Sequence, residues 1–130
     1  MKNCILIYDD DPDILSVCKI ILNQNDYHVE TRIHNTDIIK DIGQLSPDLI
    51  FMDLWIPELG GEKAITLMKN NKATQHIPII LFSANAEIEE IFKRTRADGF
   101  LKKPFEIATL LGILKENVPA KIEPLISILH

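Results

Sequence analysis

Short apolar runs alternate with amphipathic segments five times along this chain, and this alternation constrains the fold more than any other feature. The runs have the length of buried strands, and turn residues bound them. They are Cys4–Tyr8, His28–Ile33, the run between Asp48 and Asp53, Ile79–Phe82, and Asp98–Lys102. His28–Ile33 alternates polar and apolar residues, which predicts an edge strand, whereas the run that ends at Asp53 predicts a strand buried on both faces.

In the segments that follow the runs, apolar residues recur at the spacing of a helix with one core-facing side. The five helices are marked by Ile14, Leu15, Cys18, Ile21 and Leu22; by Ile38, Ile39, Ile42 and Leu45; by Ala64, Ile65 and Met68; by Ile88, Ile91 and Phe92; and by Ile107, Leu110, Leu111 and Leu114. Asp11 and Pro12 predict the start of the first helix, and Asn35 or Thr36 is the predicted cap of the second. Alternating units of this kind form a parallel sheet with helices on both faces.

Composition excludes several classes of protein. A chain of 130 residues can form one domain with its own core, and a net charge of −5 argues against direct nucleic-acid binding. No apolar run approaches the length of a membrane span, and the N-terminus lacks a signal-peptide pattern. Cys4 and Cys18 lie within apolar patterns without CxxC spacing, which favours buried, reduced thiols. We therefore expect a cytoplasmic protein that does not contact membranes.

Polar side chains follow four of the strands at the end where ligands bind in an open α/β sheet. The first strand leads to Asp9 and Asp10, the third to Asp53, the fourth to Ser83 and the fifth to Lys103. Alone, each has an ordinary explanation as a turn, cap or surface residue. The adjacent carboxylates of Asp9 and Asp10 repel each other unless a cation lies between them, so a Mg²⁺ site and a plain strand end are both open. Together the set offers a nucleophile, a cation site and donors for phosphoryl transfer.

The order of these motifs resembles the receiver domain of two-component response regulators over residues 3–117. The matching motifs are Asp9-Asp10, Asp53 with Pro57 and Gly61, Ser83-Ala84, and Lys103-Pro104-Phe105. The resemblance implies an α/β, flavodoxin-like (βα)5 fold, a three-layer sandwich around a parallel five-stranded sheet of order 2-1-3-4-5.

Residues 1–118 would form the receiver domain, and residues 119–130 a C-terminal tail. In this tail, apolar residues again recur at helical spacing, at Ile122, Leu125, Ile126 and Leu129. A short helix packed on the domain, a self-association surface and a linker to an output domain are all open.

The resemblance also implies a role for each acid. Asp53 would accept a phosphoryl group from a sensor histidine kinase or a phosphotransfer protein. Asp9 and Asp10 would position Mg²⁺, with Asp10 as the direct ligand, together with Asp53 and the backbone carbonyl of Trp55. The protein would not be an enzyme beyond its own phosphorylation and dephosphorylation.

A further set of residues would bind the phosphoryl group and transmit the signal to the protein surface. Lys103, the Ser83 hydroxyl and the backbone amide of Ala84 would contact the phosphoryl oxygens. Ser83 and Phe100 would be the switch residues that change the surface of the fourth helix, fifth strand and fifth helix. That surface would signal to a downstream protein or output domain, and a phosphorylation-dependent homodimer is a further expected partner.

Two departures from the family pattern concern the fourth helix. The segment from Ser83 to Lys103 is shorter than usual, and Arg96 stands where a Gly ordinarily ends the helix. A non-Gly residue held in the left-handed cap conformation costs about 1 kcal/mol. We therefore expect the fourth helix to be short, shifted or mobile.

Three other functions share features with this sequence. A phosphatase of the haloacid-dehalogenase type also uses a strand-end Asp with Mg²⁺, but it carries a second Asp two positions later, where this chain has Trp55. A flavin or nucleotide binder lacks support because no Gly-rich loop follows the first strand. A receiver that acts only as a phosphorylation-independent interaction module is the remaining alternative.

Overall fold

The computed structural model describes residues 2–119 as five strands that alternate with five helices. The strands are β1 (Asn3–Tyr8), β2 (Tyr27–Arg32), β3 (Leu49–Asp53), β4 (Ile79–Ser83) and β5 (Gly99–Lys102). The helices are α1 (Pro12–Gln24), α2 (Ile38–Leu45), α3 (Gly61–Lys69), α4 (Ile88–Lys93) and α5 (Ile107–Asn117). The predicted alternation is confirmed. Residues 120–130 of the tail, for which a short helix, a self-association surface and a linker were all open, lie outside the described residues. Among those residues, no helix has the length and apolar character needed to span a membrane.

The five strands form one parallel sheet of order β2-β1-β3-β4-β5, which confirms the predicted fold. β3 is central and is buried at every position, whereas β2 lies at the edge and is only partly buried. Tyr8 pairs with Met52, and Ser83 pairs with Lys102. This register brings the carboxyl ends of β1, β3, β4 and β5 level, so the residues that follow them meet at one edge of the sheet.

Two apolar clusters hold the sheet between its helices. Leu49 and Phe51 of β3 pack on the face covered by α1 and α5. Ile50 and Met52 pack on the opposite face, which α2, α3 and α4 cover. Because side chains alternate along a strand, a continuous apolar run supplies both faces at once. Burial on both faces fixes the strand ends that carry the polar residues.

The helix starts follow the sequence in one case and depart from it in another. Asp11 caps α1, because its side chain accepts a hydrogen bond from the Asp13 amide, and Pro12 is the first helical residue. The predicted capping of α2 by Asn35 or Thr36 was wrong. Asp37 occupies the N-cap without a side-chain hydrogen bond.

The expectation of a short fourth helix is confirmed. α4 has only six residues and ends at Lys93, with Arg94 as its C-cap in the right-handed conformation. Within residues 2–119, the non-Gly residues with positive φ are Asp26 and Ser46. Because α4 ends before Arg96, that residue needs no left-handed conformation, and the shortness of the segment is accommodated by a shorter helix.

The cysteines differ in their burial. Cys18 on α1 is 1% exposed, and burial raises the pKa of its thiol to about 11. Cys4 on β1 is only partly buried, so the prediction of two buried thiols holds for Cys18 alone. Cys4 and Cys18 are not joined in a disulfide, which agrees with the expectation of reduced thiols.

Gly61→Ala should destabilise the protein, because a Cβ at position 61 would lie 2.7 Å from the carbonyl oxygen of Asp53 and 2.9 Å from the Leu54 Cα. These are backbone atoms of a central strand and the loop after it, so they have little freedom to move. We expect a loss of roughly 1–3 kcal/mol in the free energy of unfolding, measured by urea denaturation.

Gly43→Ala in α2 is the matched control, since nothing lies within 4 Å of the added Cβ. Ala in place of an exposed helical Gly should stabilise the protein by about 0.5–1 kcal/mol. Equal effects of the two substitutions would contradict the packing described for Gly61.

Candidate functional site

The first two acids of the site follow β1. Asp9 is 1% exposed, and its Oδ1 accepts a hydrogen bond of 2.9 Å from the Asp11 amide. Asp10, the next residue, is exposed to solvent. The pair therefore comprises one carboxylate fixed inside the sheet edge and one that faces the opening.

Asp53 is the last residue of β3 and is 6% exposed. Burial raises the pKa of its carboxyl group, and the nearby charges of Asp9 and Asp10 act in the same direction. The ammonium group of Lys103 opposes them. Asp53 is thus a poorly solvated carboxylate, which favours its use as a nucleophile.

Lys103 joins two of these acids, although a Lys before a Pro ordinarily faces solvent. Its Nζ contacts Asp9 Oδ2 and lies 3.1 Å from Asp53 Oδ1, and its side chain is only 13% exposed. Burial alone would lower the pKa of Lys103, but the hydrogen bond to Asp9 and the charge of Asp53 raise it. Nζ also lies 4.4 Å from the ring centroid of Phe82, a contact that the sequence analysis did not anticipate. The only sequence signal for that contact was an aromatic residue directly before Ser83.

These residues line an open cavity of about 490 Å³ at the carboxyl edge of the sheet. All the predicted site residues except Phe100 line this cavity. The lining ones are Asp9, Asp10, Asp53, Trp55, Ser83, Ala84 and Lys103. Ser83 is 1% exposed, and its Oγ accepts a 3.0 Å hydrogen bond from the Asn85 amide. A hydroxyl that accepts one hydrogen bond can still donate another. Ser83 can therefore donate to a ligand in the cavity.

The three acids have the geometry of a metal site. Carboxylate oxygens of Asp9, Asp10 and Asp53 all lie within 4.8 Å of one another. The donor atoms are oxygens only, which suits a hard cation such as Mg²⁺. The Asp10 carboxylate is the most accessible of the three to a cation, because Asp10 is exposed while Asp9 and Asp53 both contact Lys103. These residues fit the predicted cation.

Phe100 lies outside this cavity, on β5. Its ring is partly buried, and it packs against Phe92 of α4 with a centroid distance of 5.2 Å. It therefore connects β5 with α4, the elements that form the predicted signalling surface.

Asn35 is a residue of this region that the sequence analysis assigned to the wrong role. It is 0% exposed, and its side chain contacts the loop between β3 and α3 instead of capping α2. A polar residue before a helix is ordinarily its cap. Nothing local in the sequence shows that a loop from another strand comes within reach.

The assembled site can perform one kind of chemistry well. A buried carboxylate, a fixed ammonium group and a cation site, with hydroxyl and amide donors beside them, are suited to receiving a phosphoryl group. The Lys103 ammonium group, together with a cation held by the three acids, would offset their negative charge and that of an incoming phosphate.

Comparison with protein families and sequences identifies relatives of this chain. The family described as response regulator receiver domain matches residues 5–115. PilG of Pseudomonas aeruginosa is 30% identical over 121 residues, covering 89% of this chain and 87% of PilG. The transcriptional regulator RpaA of Synechocystis is 31% identical over 110 residues, covering 83% of this chain and 46% of RpaA. The chain thus spans most of PilG but only about half the length of regulators such as RpaA.

Solved structures share the fold. Chemotaxis response regulator CheY4 of Vibrio cholerae has a TM-score of 0.82 at 23% identity, covering 91% of this chain and 100% of CheY4. The receiver domain of sensor histidine kinase PA1611 from Pseudomonas aeruginosa, solved with a magnesium ion coordinated in the active site cleft, has a TM-score of 0.82 at 24% identity. It covers 92% of this chain and 100% of that domain.

Lys103→Met should destabilise the protein in the absence of divalent cations. The substitution leaves the buried carboxylates of Asp9 and Asp53 without their ammonium partner, at a cost of roughly 3 kcal/mol. The folded-state pKa of Asp53 is already raised, so its ionisation costs stability as the pH rises, and without Lys103 this cost grows. The loss in the free energy of unfolding should be complete at neutral pH. It should shrink as the pH falls toward about 4, the ordinary pKa of an Asp side chain. Urea denaturation across that pH range measures it.

Lys102→Met is the control, because Lys102 is the adjacent residue and is exposed. It should change the free energy of unfolding little, with no comparable dependence on pH. A Lys103→Met loss no larger than that of Lys102→Met would contradict the electrostatic role assigned to Lys103.

Proposed function

This chain belongs to the response regulator receiver family of two-component systems, and from that identity we propose that Asp53 accepts a phosphoryl group. The observation that best supports the proposal is that two acids of the site share one ammonium group. Lys103 contacts both Asp53 and Asp9 at the sheet edge where Asp10 opens to solvent. We take residues 1–118 as the receiver unit.

In the proposed reaction, a carboxylate oxygen of Asp53 attacks the phosphorus of a phosphohistidine. The new bond is an O–P bond, the N–P bond breaks, and its electron pair returns to the imidazole of the donor. Lys103 neutralises a phosphoryl oxygen, and the Ser83 hydroxyl and the Ala84 amide donate hydrogen bonds to the others. Water later attacks the acyl phosphate and restores Asp53, so the protein turns over only its own phosphate.

Mg²⁺ is the proposed cofactor. It would be held by Asp9, Asp10 and Asp53 with the backbone carbonyl of Trp55, and it would supply positive charge at the phosphoryl oxygens. The mutual proximity of the three carboxylates supports this assignment. A receiver domain of the same fold coordinates magnesium in its active site cleft.

Ser83 and Phe100 are the proposed switch. Phosphorylation replaces one negative charge by about two and adds strong acceptors, which draw the Ser83 hydroxyl toward the phosphate. The Phe100 ring would then turn inward from its contact with Phe92 of α4. Because Phe has no hydroxyl to desolvate, its burial carries no polar cost. The altered face of α4, β5 and α5 would bind the downstream partner.

The proposed phosphodonor is a sensor histidine kinase or a phosphotransfer protein, and the signal passes to a downstream protein or output domain. Relatives such as RpaA are transcriptional regulators of about twice the matched length. Homodimerisation after phosphorylation is a further proposal, for which light scattering before and after phosphorylation is the direct measurement.

A phosphatase function is less well supported. Trp55 stands two residues after Asp53, where a second acid would be needed, and its side chain is 72% exposed. Sustained turnover of a generic phosphate ester would favour that alternative.

Asp53→Asn should abolish labelling by acetyl phosphate and by a cognate kinase, because an amide oxygen is a far weaker nucleophile than a carboxylate. Intact-protein mass spectrometry after incubation with acetyl phosphate and Mg²⁺ measures the label. The control is Asp13→Asn, which alters an exposed acid in the first turn of α1 and should leave labelling unchanged. Stoichiometric labelling of Asp53→Asn would refute the assignment.

Asp10→Ala should weaken Mg²⁺ binding by an order of magnitude or more, because it removes the one carboxylate of the cluster that is exposed. Trp55, the single Trp of the sequence, lines the cavity, so its fluorescence reports a Mg²⁺ titration. Asp13→Asn again serves as the control. Labelling of the wild-type protein that is equally fast in excess chelator would count against a role for the metal.

A further inference from the structure

The loop between β3 and α3 determines where part of the proposed metal site lies. It leaves the sheet directly after Asp53 and contains Trp55, whose carbonyl is the proposed ligand. Hydrogen bonds within it close the loop on itself, from the Gly60 amide to the Ile56 carbonyl at 3.0 Å and from the Gly61 amide to the Leu54 carbonyl at 2.9 Å. Because these hydrogen bonds connect its two halves, an attachment at the outer half of the loop also acts on Trp55.

Asn35, in the segment between β2 and α2, provides that attachment. Its backbone amide donates to the Pro57 carbonyl at 2.8 Å. Its side-chain Oδ1 accepts from the Leu59 amide at 2.9 Å, and its Nδ2 donates to the Gly60 carbonyl at 3.1 Å. One residue thus makes three hydrogen bonds to the loop, and it is 0% exposed.

The side chain of Asn35 is specific for this task. The loop offers one donor, at Leu59, and one acceptor, at Gly60, and a primary amide satisfies both from a single planar group. A carboxylate would place an acceptor against the Gly60 carbonyl. An Ala would remove the acceptor of the Leu59 amide and would leave the Gly60 carbonyl with the Ala64 amide alone.

The inner half of the loop is held differently. Leu54 and Ile56 on either side of Trp55 are 4% and 1% exposed and pack in the core. Asn35 fixes the outer half at Pro57, Leu59 and Gly60. Trp55 lies in the inner half, next to the outer half that Asn35 holds. The position of the Trp55 carbonyl therefore depends on the core packing of Leu54 and Ile56 and on the hydrogen bonds of Asn35.

We propose that Asn35 is a positioning residue for the metal site, acting through the Pro57–Gly60 backbone to hold the Trp55 carbonyl toward Asp9, Asp10 and Asp53. This inference rests on the proposed function, because it gives the loop a role in Mg²⁺ binding. Groups that orient metal ligands typically change metal affinity by about 10–100-fold when they are removed.

The test compares Asn35→Ala and Asn35→Asp with the wild-type protein by titrating Mg²⁺ and following Trp55 fluorescence. Both variants should bind Mg²⁺ about tenfold more weakly or worse. In metal-free protein, the Leu59 amide should exchange its hydrogen faster in Asn35→Ala, which reports loop attachment independently of the metal. Asn35→Asp keeps the acceptor for Leu59, so it carries the test if Asn35→Ala does not fold.

Thr74→Val is the matched control. Thr74 is 2% exposed and its hydroxyl donates to the Met68 carbonyl at 2.8 Å, so the variant also removes a buried loop contact, at the opposite end of the sheet. It should lower stability without changing Mg²⁺ affinity.

The outcomes separate the two proposals. Weaker binding in the Asn35 variants with unchanged binding in Thr74→Val supports the inference. Wild-type affinity in folded Asn35 variants, or an equal loss in Thr74→Val, overturns the inference while the proposed function stands. Failure of the wild-type protein to bind Mg²⁺ overturns the metal assignment and the inference with it.

Discussion

Repulsion among three carboxylates gathered at one edge of a parallel sheet is the constraint on which the rest of this structure depends. Asp9 and Asp53 are almost fully buried, and Asp10 lies within ligand-sharing distance of both. Isolated buried charges are too costly to retain, so the single ammonium group of Lys103 is a structural requirement as well as a chemical one. The apolar strands beneath the site hold these groups together despite their repulsion.

Most of the fold and most of the site follow from local sequence patterns. Each strand is a short apolar run, and in a parallel sheet the ends of the runs meet, so Asp53 and Lys103 could be brought together without any knowledge of contacts. The role of Asn35 could not be found this way, because its partners belong to a loop that starts from a different strand. Tyr8 is a second example. Its buried hydroxyl donates to Asp41 at 2.6 Å, a contact that a strand pattern does not reveal.

For the fourth helix, the spacing of the sequence motifs predicted a short length but not the position at which the helix ends. The shorter segment was visible in the sequence, but the position where the helix ends depends on contacts with α3. Arg94 donates two hydrogen bonds of 3.0 Å to the Glu62 carboxylate. Arg96 donates to the Asn70 side chain, and Lys69 of α3 lies 2.9 Å from Asp98. An exposed ion pair such as that of Arg94 with Glu62 contributes little stability by itself. These contacts locate the end of α4 against α3.

Charge then explains how the chemistry and the signal can be linked. Lys103 offsets only one of the three acids, so the metal-free site keeps an excess of negative charge that a divalent cation would balance. The proposed phosphorylation of Asp53 would add about one further negative charge and upset that balance. The new charge must be met by donors already present, and Ser83, buried and bound through its Oγ to Asn85, is the one at the end of β4. In the proposed switch, a shift of Ser83 would open space beside β5, where Phe100 packs on α4. The negative charge that we propose is balanced at Asp53 by the cation and Lys103 would then also drive the change at the surface.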